Sequence, residues 1–336
     1  MKIEDKIYSM FILGCEGGGY EKLLSRPLGG LIFFTKDILS KEQFKTLIKN
    51  IKEKSAYPLF LSIDQEGGRV ERTENIHHGK KYLSAKFAYE KGEDFLKTQT
   101  AEIARELYEF GINLNFAPCI DTNTNPQNPI IGERAFSDKT DEVIKAEKIV
   151  SKTYLENGIL PCAKHYPGHG DANADSHLSL PKIDLPLETM EKFHIAPFKS
   201  SVQNGIPMIM AAHLHCTCFD RDVIPASLSE NALSYLRNKL GFDGIIISDD
   251  MVMKGVSGFG EVEACVMGIK AGLNMFIYRN STPETLSIIK NLTELAKDDD
   301  ELKRNIEISF EKISALKQSI NHYQNLTVSQ SEFPEN

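Results

Sequence analysis

The run Gly244-Ile245-Ile246-Ile247-Ser248, followed at once by Asp249-Asp250, decides the fold. A short and almost continuously apolar run is typical of a parallel strand that other elements cover on both faces. Seven further runs of this kind occur along the chain. The eight predicted strands are residues 7–13, 30–34, 59–63, 112–117, 160–164, 208–212, 244–248 and 275–278.

Amphipathic patterns with helical spacing lie between most of these strands. We predict helices over residues 41–53, 98–110, 142–157, 187–204, 230–240, 261–271 and 301–320. Eight strands that alternate with helices predict an α/β fold, a single (β/α)8 barrel of the TIM type. A doubly wound sheet is the second choice, but its Gly-x-Gly-x-x-Gly turn does not follow the first strand.

Length and composition agree with one soluble barrel. The 336 residues suffice for a catalytic barrel over 1–320, followed by a polar and flexible tail over 321–336. The net charge of -8, without a long basic run, disfavours nucleic acid as a partner. We see no signal peptide and no apolar stretch near the ~20 residues of a membrane span. We therefore expect a cytoplasmic monomer without a membrane partner.

The six cysteines form no Cys-x-x-Cys pair, and we expect buried, reduced thiols. The segment Cys216-Thr217-Cys218 is too weak a pattern to predict a metal site.

Ionisable residues gather where the predicted strands end. In a barrel these ends face the active site, and buried charges are costly unless they are paired. Taken singly, Arg69 could bridge a loop carboxylate, His213 and His215 could be satisfied core histidines, and His169 could pack its own loop. Five charged strand ends together indicate a functional site. They carry Asp64 to Arg72, Asp121 and Arg134, Lys164 and His165, His213 and His215, and Asp249 and Asp250.

Asp249 is the candidate nucleophile. It directly follows a strand, so its carboxylate should enter the mouth of the barrel, whereas Asp250 should point elsewhere. A carboxylate in that position can attack an anomeric carbon and form a glycosyl-enzyme ester.

The loop after the fifth strand offers a histidine in place of the usual second carboxyl group. His177 lies two residues after Asp175, which allows the carboxylate to hold one ring nitrogen while the other faces the substrate. Histidine exchanges protons near neutral pH, and the aspartate would fix its tautomer. An ordinary surface loop is the competing interpretation of this segment. The predicted sugar-binding residues are Asp64, Arg72, Arg134, Lys164 and His165.

These motifs resemble family-3 glycoside hydrolases, and in particular the bacterial single-domain β-N-acetylglucosaminidases of the NagZ type. The similar segments span about residues 5 to 320 in the expected order. They are Asp64-Gln65-Glu66-Gly67-Gly68-Arg69-Val70, Ile131-Gly132-Glu133-Arg134, Lys164-His165-Tyr166-Pro167-Gly168-His169-Gly170, Asp175-Ser176-His177 and Ser248-Asp249-Asp250.

The resemblance implies a retaining β-N-acetylhexosaminidase. It implies Asp249 as nucleophile, His177 as acid and base with Asp175 as its partner, and the five sugar-binding residues above. It further implies removal of terminal N-acetylglucosamine from 1,6-anhydro-N-acetylmuramyl muropeptides during peptidoglycan recycling, without a metal or organic cofactor. Larger family members have a second domain that can supply a carboxylic acid, and we expect none here.

Two alternatives stay open. One is a phosphorylase on the same site, since an Asp–His pair repels an incoming phosphate less than a lone carboxylate. The other is a metal-dependent barrel hydrolase that uses His165, His213, His215 and Asp249. The first strand lacks the His-x-His that such metal sites usually contain.

Overall fold

The computed structural model describes residues 1–172 and 180–330 and shows a closed barrel of eight parallel strands. The barrel strands are β1 Phe11–Glu16, β2 Gly30–Phe33, β3 Phe60–Ile63, β4 Leu114–Asn115, β5 Leu160–Tyr166, β7 Met208–Ala211, β9 Ile245–Asp250 and β10 Met275–Asn280. They follow each other around the barrel in chain order, and β10 pairs with β1 to close it. The predicted barrel is confirmed.

Two short strands lie outside the barrel. They are β6 Lys182–Ile183 and β8 His215–Cys216, which pair in parallel as a separate sheet. This small sheet and the buried side chains of Ile183, Leu214 and Cys216 form a second apolar cluster beside the main core. The second cluster holds the segments after β5 and β7 together at the rim of the barrel.

Helices cover the outside of the barrel. They are α1 Ile3–Ser9, α2 Lys41–Lys54, α3 Ala85–Glu90, α4 Glu93–Phe110, α5 Thr140–Glu156, α6 Leu187–Met190, α7 Ala196–Gln203, α8 Glu230–Ser234, α9 Glu261–Ala271, α10 Pro283–Leu295 and α11 Asp300–Gln330. The last helix packs against α1 and α9 and continues beyond the predicted boundary at residue 320. No helix in the described part of the chain is both long and apolar enough to span a membrane.

The first predicted strand, residues 7–13, is wrong over its first half. Residues 3–9 form α1, with Glu4 and Asp5 in its first turn, and the strand begins at Phe11. Acidic residues stabilise the amino-terminal turn of a helix. Ile7 is fully buried on the helix, and apolarity alone cannot separate a buried helical turn from the strand that follows it.

The predicted helix 187–204 is interrupted. A π-helical turn, Glu191–Ile195, separates α6 from α7. Pro197 has no N–H group, and its ring would collide with the carbonyl group of Phe193 in a regular helix. The wider turn removes that collision. A similar π-helical turn, Tyr235–Lys239, follows α8 inside the predicted helix 230–240.

Strand β4 is held to β3 by side chains as well as by backbone pairing. The side chain of Asn113 accepts a hydrogen bond from the Leu61 amide at 2.9 Å and donates to the Leu59 carbonyl at 2.9 Å. The side chain of Asn115 makes the same two kinds of bond with the backbone of Gln65, at 2.9 and 2.8 Å. Backbone bonds from the amides of Asn113 and Phe116 to β3, at 3.0 and 2.8 Å, lie on either side of β4, although the regular strand is shorter than the predicted 112–117.

We predict that Asn115→Ala destabilises the protein by about 3 kcal/mol, because it leaves a buried backbone donor and acceptor of Gln65 unpaired. Asn115 is fully buried and also donates to the Tyr154 hydroxyl at 3.0 Å. Urea unfolding gives the measurement. The matched control is Asn291→Ala on the exposed face of α10, which should change the free energy of unfolding by less than about 0.5 kcal/mol. Equal effects of the two substitutions would contradict the bracing role.

Candidate active site

A cleft of about 290 Å³ opens at the carboxyl ends of the barrel strands. Parallel strands bring their carboxyl ends to one face of the barrel, so distant segments meet there. Six of the predicted site residues line this one cleft. They are Asp64 and Arg72 from the segment after β3, Arg134 from the segment after β4, Lys164 and His165 from β5, and Asp249 from β9.

Asp249 lies near the end of β9 and is partly buried in the cleft. Its Oδ1 atom accepts a hydrogen bond from the Asp250 amide at 2.7 Å, and no partner of Oδ2 occurs among the described residues. Burial alone would raise the pKa of Asp249, but His165, His213, the Asp250 amide and Lys164 together hold it below its ordinary value. The carboxylate is therefore ionised and has one oxygen available for bonding to a substrate.

Asp250 also lines the cleft, but its carboxylate has partners of its own. Its carboxylate forms an ion pair with Arg279 and accepts hydrogen bonds from the amides of Val252 at 3.1 Å and Arg279 at 3.2 Å. Burial raises the pKa of Asp250, although Arg279 opposes the shift. Asp250 thus joins the ends of β9 and β10, and it fixes the chain next to Asp249.

Lys164 connects two carboxylates at the floor of the cleft. Its Nζ atom lies 2.6 Å from Asp64 Oδ1 and 2.7 Å from Glu66 Oε1, and only 2% of its side chain is exposed. Burial would lower the pKa of Lys164, but the two carboxylates raise it well above its usual range. Arg72 lies 4.0 Å from Asp64 Oδ2. Lys164 consequently stays charged and fixes the position of Asp64.

Glu66 also binds the second buried cation, Arg134. Both of its oxygens accept hydrogen bonds from that guanidinium, at 2.9 and 2.8 Å. Burial would raise the pKa of Glu66, yet Arg134 and Lys164 hold it far below its usual range. A bidentate Arg–carboxylate pair has a well-defined geometry, so Arg134 can enter the cleft in only one orientation.

His165 is held between Asp121 and Arg134. Its Nδ1 atom lies 2.7 Å from Asp121 Oδ2, and its Nε2 atom lies 3.3 Å from Arg134. A guanidinium can only donate, so Nε2 accepts and Nδ1 donates to Asp121. The backbone amide of His169 donates to the other oxygen of Asp121 at 2.6 Å. Asp121 therefore sets both the tautomer of His165 and the start of the following loop.

His169 also lines the cleft, in contact with His165 at a ring-centroid distance of 6.0 Å. Burial lowers the pKa of His169 to about 4, although Asp121 opposes the shift, so its imidazole is neutral near pH 7. The loop that begins here leads to the predicted proton-transfer residues. Asp175 and His177 lie outside the described residues, and their roles stay predictions.

The predicted site residues do not include Glu66, Asp121, His169 or Arg279, and they include His213 only in the metal-dependent alternative. Glu66 lies two positions after Asp64, which would place it on the same side in an extended segment. Asp121 follows a predicted strand, but the sequence alone assigns it no role. Arg279 is the penultimate residue of β10, as Asp249 is of β9. This position at a strand end could have placed Arg279 in the cleft.

The histidines of the metal hypothesis occupy separate environments. His213 lines the cleft, with Nδ1 2.7 Å from the Ser227 hydroxyl and Nε2 3.2 Å from the Asp250 carbonyl. His215 lies in the small outer sheet, where Nε2 contacts the Asp220 carbonyl at 3.0 Å. Both rings thus have protein partners, and the four proposed ligands do not form one metal-binding group among the described residues.

Cys119, Asp121 and His165 are the one set in the described part of the chain whose ligand atoms lie close enough to share a metal ion. Asp121 is already bonded to the His165 ring, and Arg134 donates to the other nitrogen of that ring. Burial raises the pKa of the Cys119 thiol well above its usual range, and Asp121 adds to this effect. This arrangement is a hydrogen-bond network that orients His165.

Arg69, another charged residue of the segment after β3, bridges no carboxylate among the described residues. Its guanidinium donates to backbone carbonyls of the segment after β4, at 2.9 Å to Pro129 and 3.3 Å to Ile131. It therefore connects the two segments that carry Arg72 and Arg134.

Comparison with known proteins shows relatives that cover most of the chain. The beta-hexosaminidase of Idiomarina loihiensis is 34% identical over 278 residues, which are 80% of this chain and 82% of that protein. Beta-hexosaminidase A of Pseudoalteromonas piscicida is 34% identical over 277 residues, and the match covers 76% of this chain but 46% of that protein. This chain thus spans about half the length of the second relative.

A solved structure shows the same architecture. A glycoside hydrolase family 3 beta-N-acetylglucosaminidase from Paenibacillus sp. str. FPU-7 superposes with a TM-score of 0.88 at 27% identity, over 100% of this chain and 64% of that one. Residues 2–316 match the N-terminal domain of glycosyl hydrolase family 3. Because this match covers nearly the whole chain, and because relatives more than 30% identical share most of its length, the chain belongs to glycosyl hydrolase family 3.

Proposed function

We propose that the protein is a retaining exo-β-N-acetylglucosaminidase that removes terminal, non-reducing N-acetylglucosamine. The observation that carries the proposal is the ionised Asp249 carboxylate with one free oxygen, in a cleft opposite the fixed pair of Lys164 and Asp64. The names of the relatives, beta-hexosaminidase and beta-N-acetylglucosaminidase, support the choice of sugar.

The bound sugar is held by groups whose positions are already fixed. Lys164 uses two of its three N–H bonds for Asp64 and Glu66, which leaves one for a hydroxyl group of the substrate. The carboxylate of Asp64 can accept hydrogen bonds from neighbouring hydroxyls, and Arg72, Arg134 and His165 complete the sugar site. Preorganised donors and acceptors of this kind do not need to reorganise when the substrate binds.

Two chemical steps follow. In the first, Asp249 Oδ2 attacks the anomeric carbon, the glycosidic bond breaks, and protonated His177 gives its proton to the leaving oxygen. In the second, neutral His177 takes a proton from water, the water oxygen bonds to the anomeric carbon, and the Asp249 carboxylate leaves. Asp175 would hold the imidazole and stabilise its charged form. Two inversions give overall retention.

The proposed natural substrate is a muropeptide that carries 1,6-anhydro-N-acetylmuramic acid, cleaved in the cytoplasm during peptidoglycan recycling. The support is the similarity of the motifs to the single-domain enzymes described above.

We propose a monomer that acts on this small-molecule substrate without a metal or organic cofactor. Activity that survives a strong chelator would reject the metal-dependent alternative, and product analysis on muropeptides tests the substrate.

Phosphorolysis at the same site is the second candidate. The cations Arg72, Arg134 and Lys164 in the cleft could also attract phosphate. Product formation with and without phosphate separates the two reactions. Strict dependence on phosphate, with a sugar 1-phosphate as product, would replace the hydrolase proposal.

We predict that Asp249→Asn lowers kcat by about four orders of magnitude, because it removes the nucleophile and keeps the size of the side chain. The matched control is Asp250→Asn on the adjacent residue, which should lose about tenfold to a hundredfold through misplacement of β9. Steady-state kinetics on an aryl N-acetyl-β-glucosaminide gives both values. A greater loss of kcat in Asp250→Asn than in Asp249→Asn would show that Asp249 is not the nucleophile.

We predict that His177→Ala slows cleavage of a natural disaccharide by about a hundredfold or more, since general acid catalysis contributes that much. An activated aryl glycoside, whose leaving group needs no proton, should lose much less in its first step. The ratio of the two kcat/KM losses is the measurement. Equal losses for the two substrates would remove the acid role from His177.

We predict a bell-shaped dependence of kcat/KM on pH for the natural disaccharide. The reaction needs ionised Asp249, whose pKa lies below the ordinary value of 3.8, so activity should fall only when the pH drops below about 4. It also needs protonated His177, so activity should fall as pH rises past about 6.5. The activated aryl glycoside should lack the alkaline decrease. An acid limb near pH 6 would contradict the assignment of Asp249.

A further inference from the structure

His213 lies beside the end of β9, on the neighbouring segment of the barrel. Strands β7 and β9 pair in parallel, with Ala211 opposite Ser248. Two residues further along each segment, His213 lies next to Asp250. Only 3% of His213 is exposed, yet its ring lines the cleft that contains Asp249. The proposed mechanism assigns no part to this buried ring.

Both nitrogens of the His213 ring have partners, and these partners fix its tautomer. Nε2 lies 3.2 Å from the Asp250 carbonyl, and Nδ1 lies 2.7 Å from the Ser227 hydroxyl. A carbonyl oxygen can only accept, so Nε2 is the donor. Burial lowers the pKa of His213, although Asp249 and Asp250 oppose the shift, so the ring is neutral near pH 7. Nδ1 therefore accepts the hydrogen bond from Ser227.

The surroundings of His213 leave it little freedom to move. Ser227 is fully buried, and its amide donates to the Ala212 carbonyl at 3.1 Å. Gly255, in the segment after β9, packs against His213 so closely that a Cβ atom added to this glycine would lie 2.8 Å from His213 Cβ. Two segments of the chain thus enclose the histidine, one on the side of Ser227 and the other on the side of Gly255.

Asp250 connects this fixed ring to Asp249. Its carbonyl oxygen accepts from His213 and from the Met253 amide at 2.9 Å, while its own amide donates to Asp249 Oδ1 at 2.7 Å. We propose that His213 is a positioning residue, which fixes the end of β9 so that the Asp249 carboxylate keeps one orientation towards the substrate. This role rests on the proposed function of Asp249 as the nucleophile.

Kinetics of two variants on an aryl N-acetyl-β-glucosaminide test the role. His213→Leu removes the bond to Asp250, and kcat should fall about a hundredfold because the nucleophile is misplaced. KM should change less than about threefold, since the lost interaction acts on the transition state. In His213→Gln the side-chain amide can still donate to the Asp250 carbonyl, so kcat should exceed that of the leucine variant by about tenfold. Equal kcat in the two variants, or a loss confined to KM, would overturn the positioning role.

A second pair of variants displaces the ring without changing it. Gly255→Ala should push His213 away from its place and lower kcat about tenfold with KM retained. The matched control is Gly258→Ala, where the added Cβ would meet no described atom within 4 Å and kcat should stay within about twofold. Full kcat in Gly255→Ala and His213→Leu, beside an inactive Asp249→Asn, would reject the role of His213 alone. An active Asp249→Asn would instead reject the nucleophile and the positioning role together.

Discussion

The active site depends on one buried carboxylate, that of Glu66, which lies between two cations. It accepts two hydrogen bonds from Arg134 and pairs with Lys164 at 2.7 Å. Without Glu66, Arg134 would lose its ion pair and Lys164 would keep only Asp64, whereas removing an ammonium or guanidinium group from water costs several kcal/mol. Asp64 and His165 take their positions from Lys164 and Arg134 in turn. The proposed sugar site is thus assembled around a residue that need not touch the sugar.

A second buried carboxylate, Asp121, plays the corresponding part for the next loop. It binds the ring of His165 and the backbone amides of His165 and His169. Burial would raise the pKa of Asp121, but His165 and His169 lower it far below its usual range. The two anionic anchors therefore join β5 to the segments after β3 and β4 before any substrate is present.

The sequence predicted much of the fold because parallel strands covered on both faces leave a plain signal, as at residues 245–248. The predicted elements were wrong where an apolar run does not distinguish a helix from a strand or a regular helical turn from a wider one. Ile7 is equally buried on a helix or a strand, and Pro197 widens a helical turn without ending the apolar pattern. The side-chain bonds of Asn113 and Asn115 to the backbone of residues 59–65 become visible only in three dimensions.

The positions of some residues in the cleft could be predicted from the barrel, and those of others could not. Residues at strand ends, such as Asp249 and Lys164, could be placed from the barrel alone, since every strand end faces the same cleft. Glu66 and Asp121 could not, because their importance lies in which cation or ring each one meets. Those partners come from other segments of the chain, so no spacing within a single motif reveals them. Asp175 and His177 rest on the motif and its resemblance.

The identity of the proton donor is the remaining question of mechanism. The partners of the carboxylates in the cleft limit which of them can act as the general acid. A general acid must carry a proton near neutral pH and have that proton free to move. Asp64 is paired with Lys164, and Asp250, whose pKa burial raises, is paired with Arg279 and accepts two backbone amides. An acid that is engaged in this way would have to lose its partners first. No described carboxylate near Asp249 is therefore suited to the role, and this favours a histidine supplied by the loop after β5.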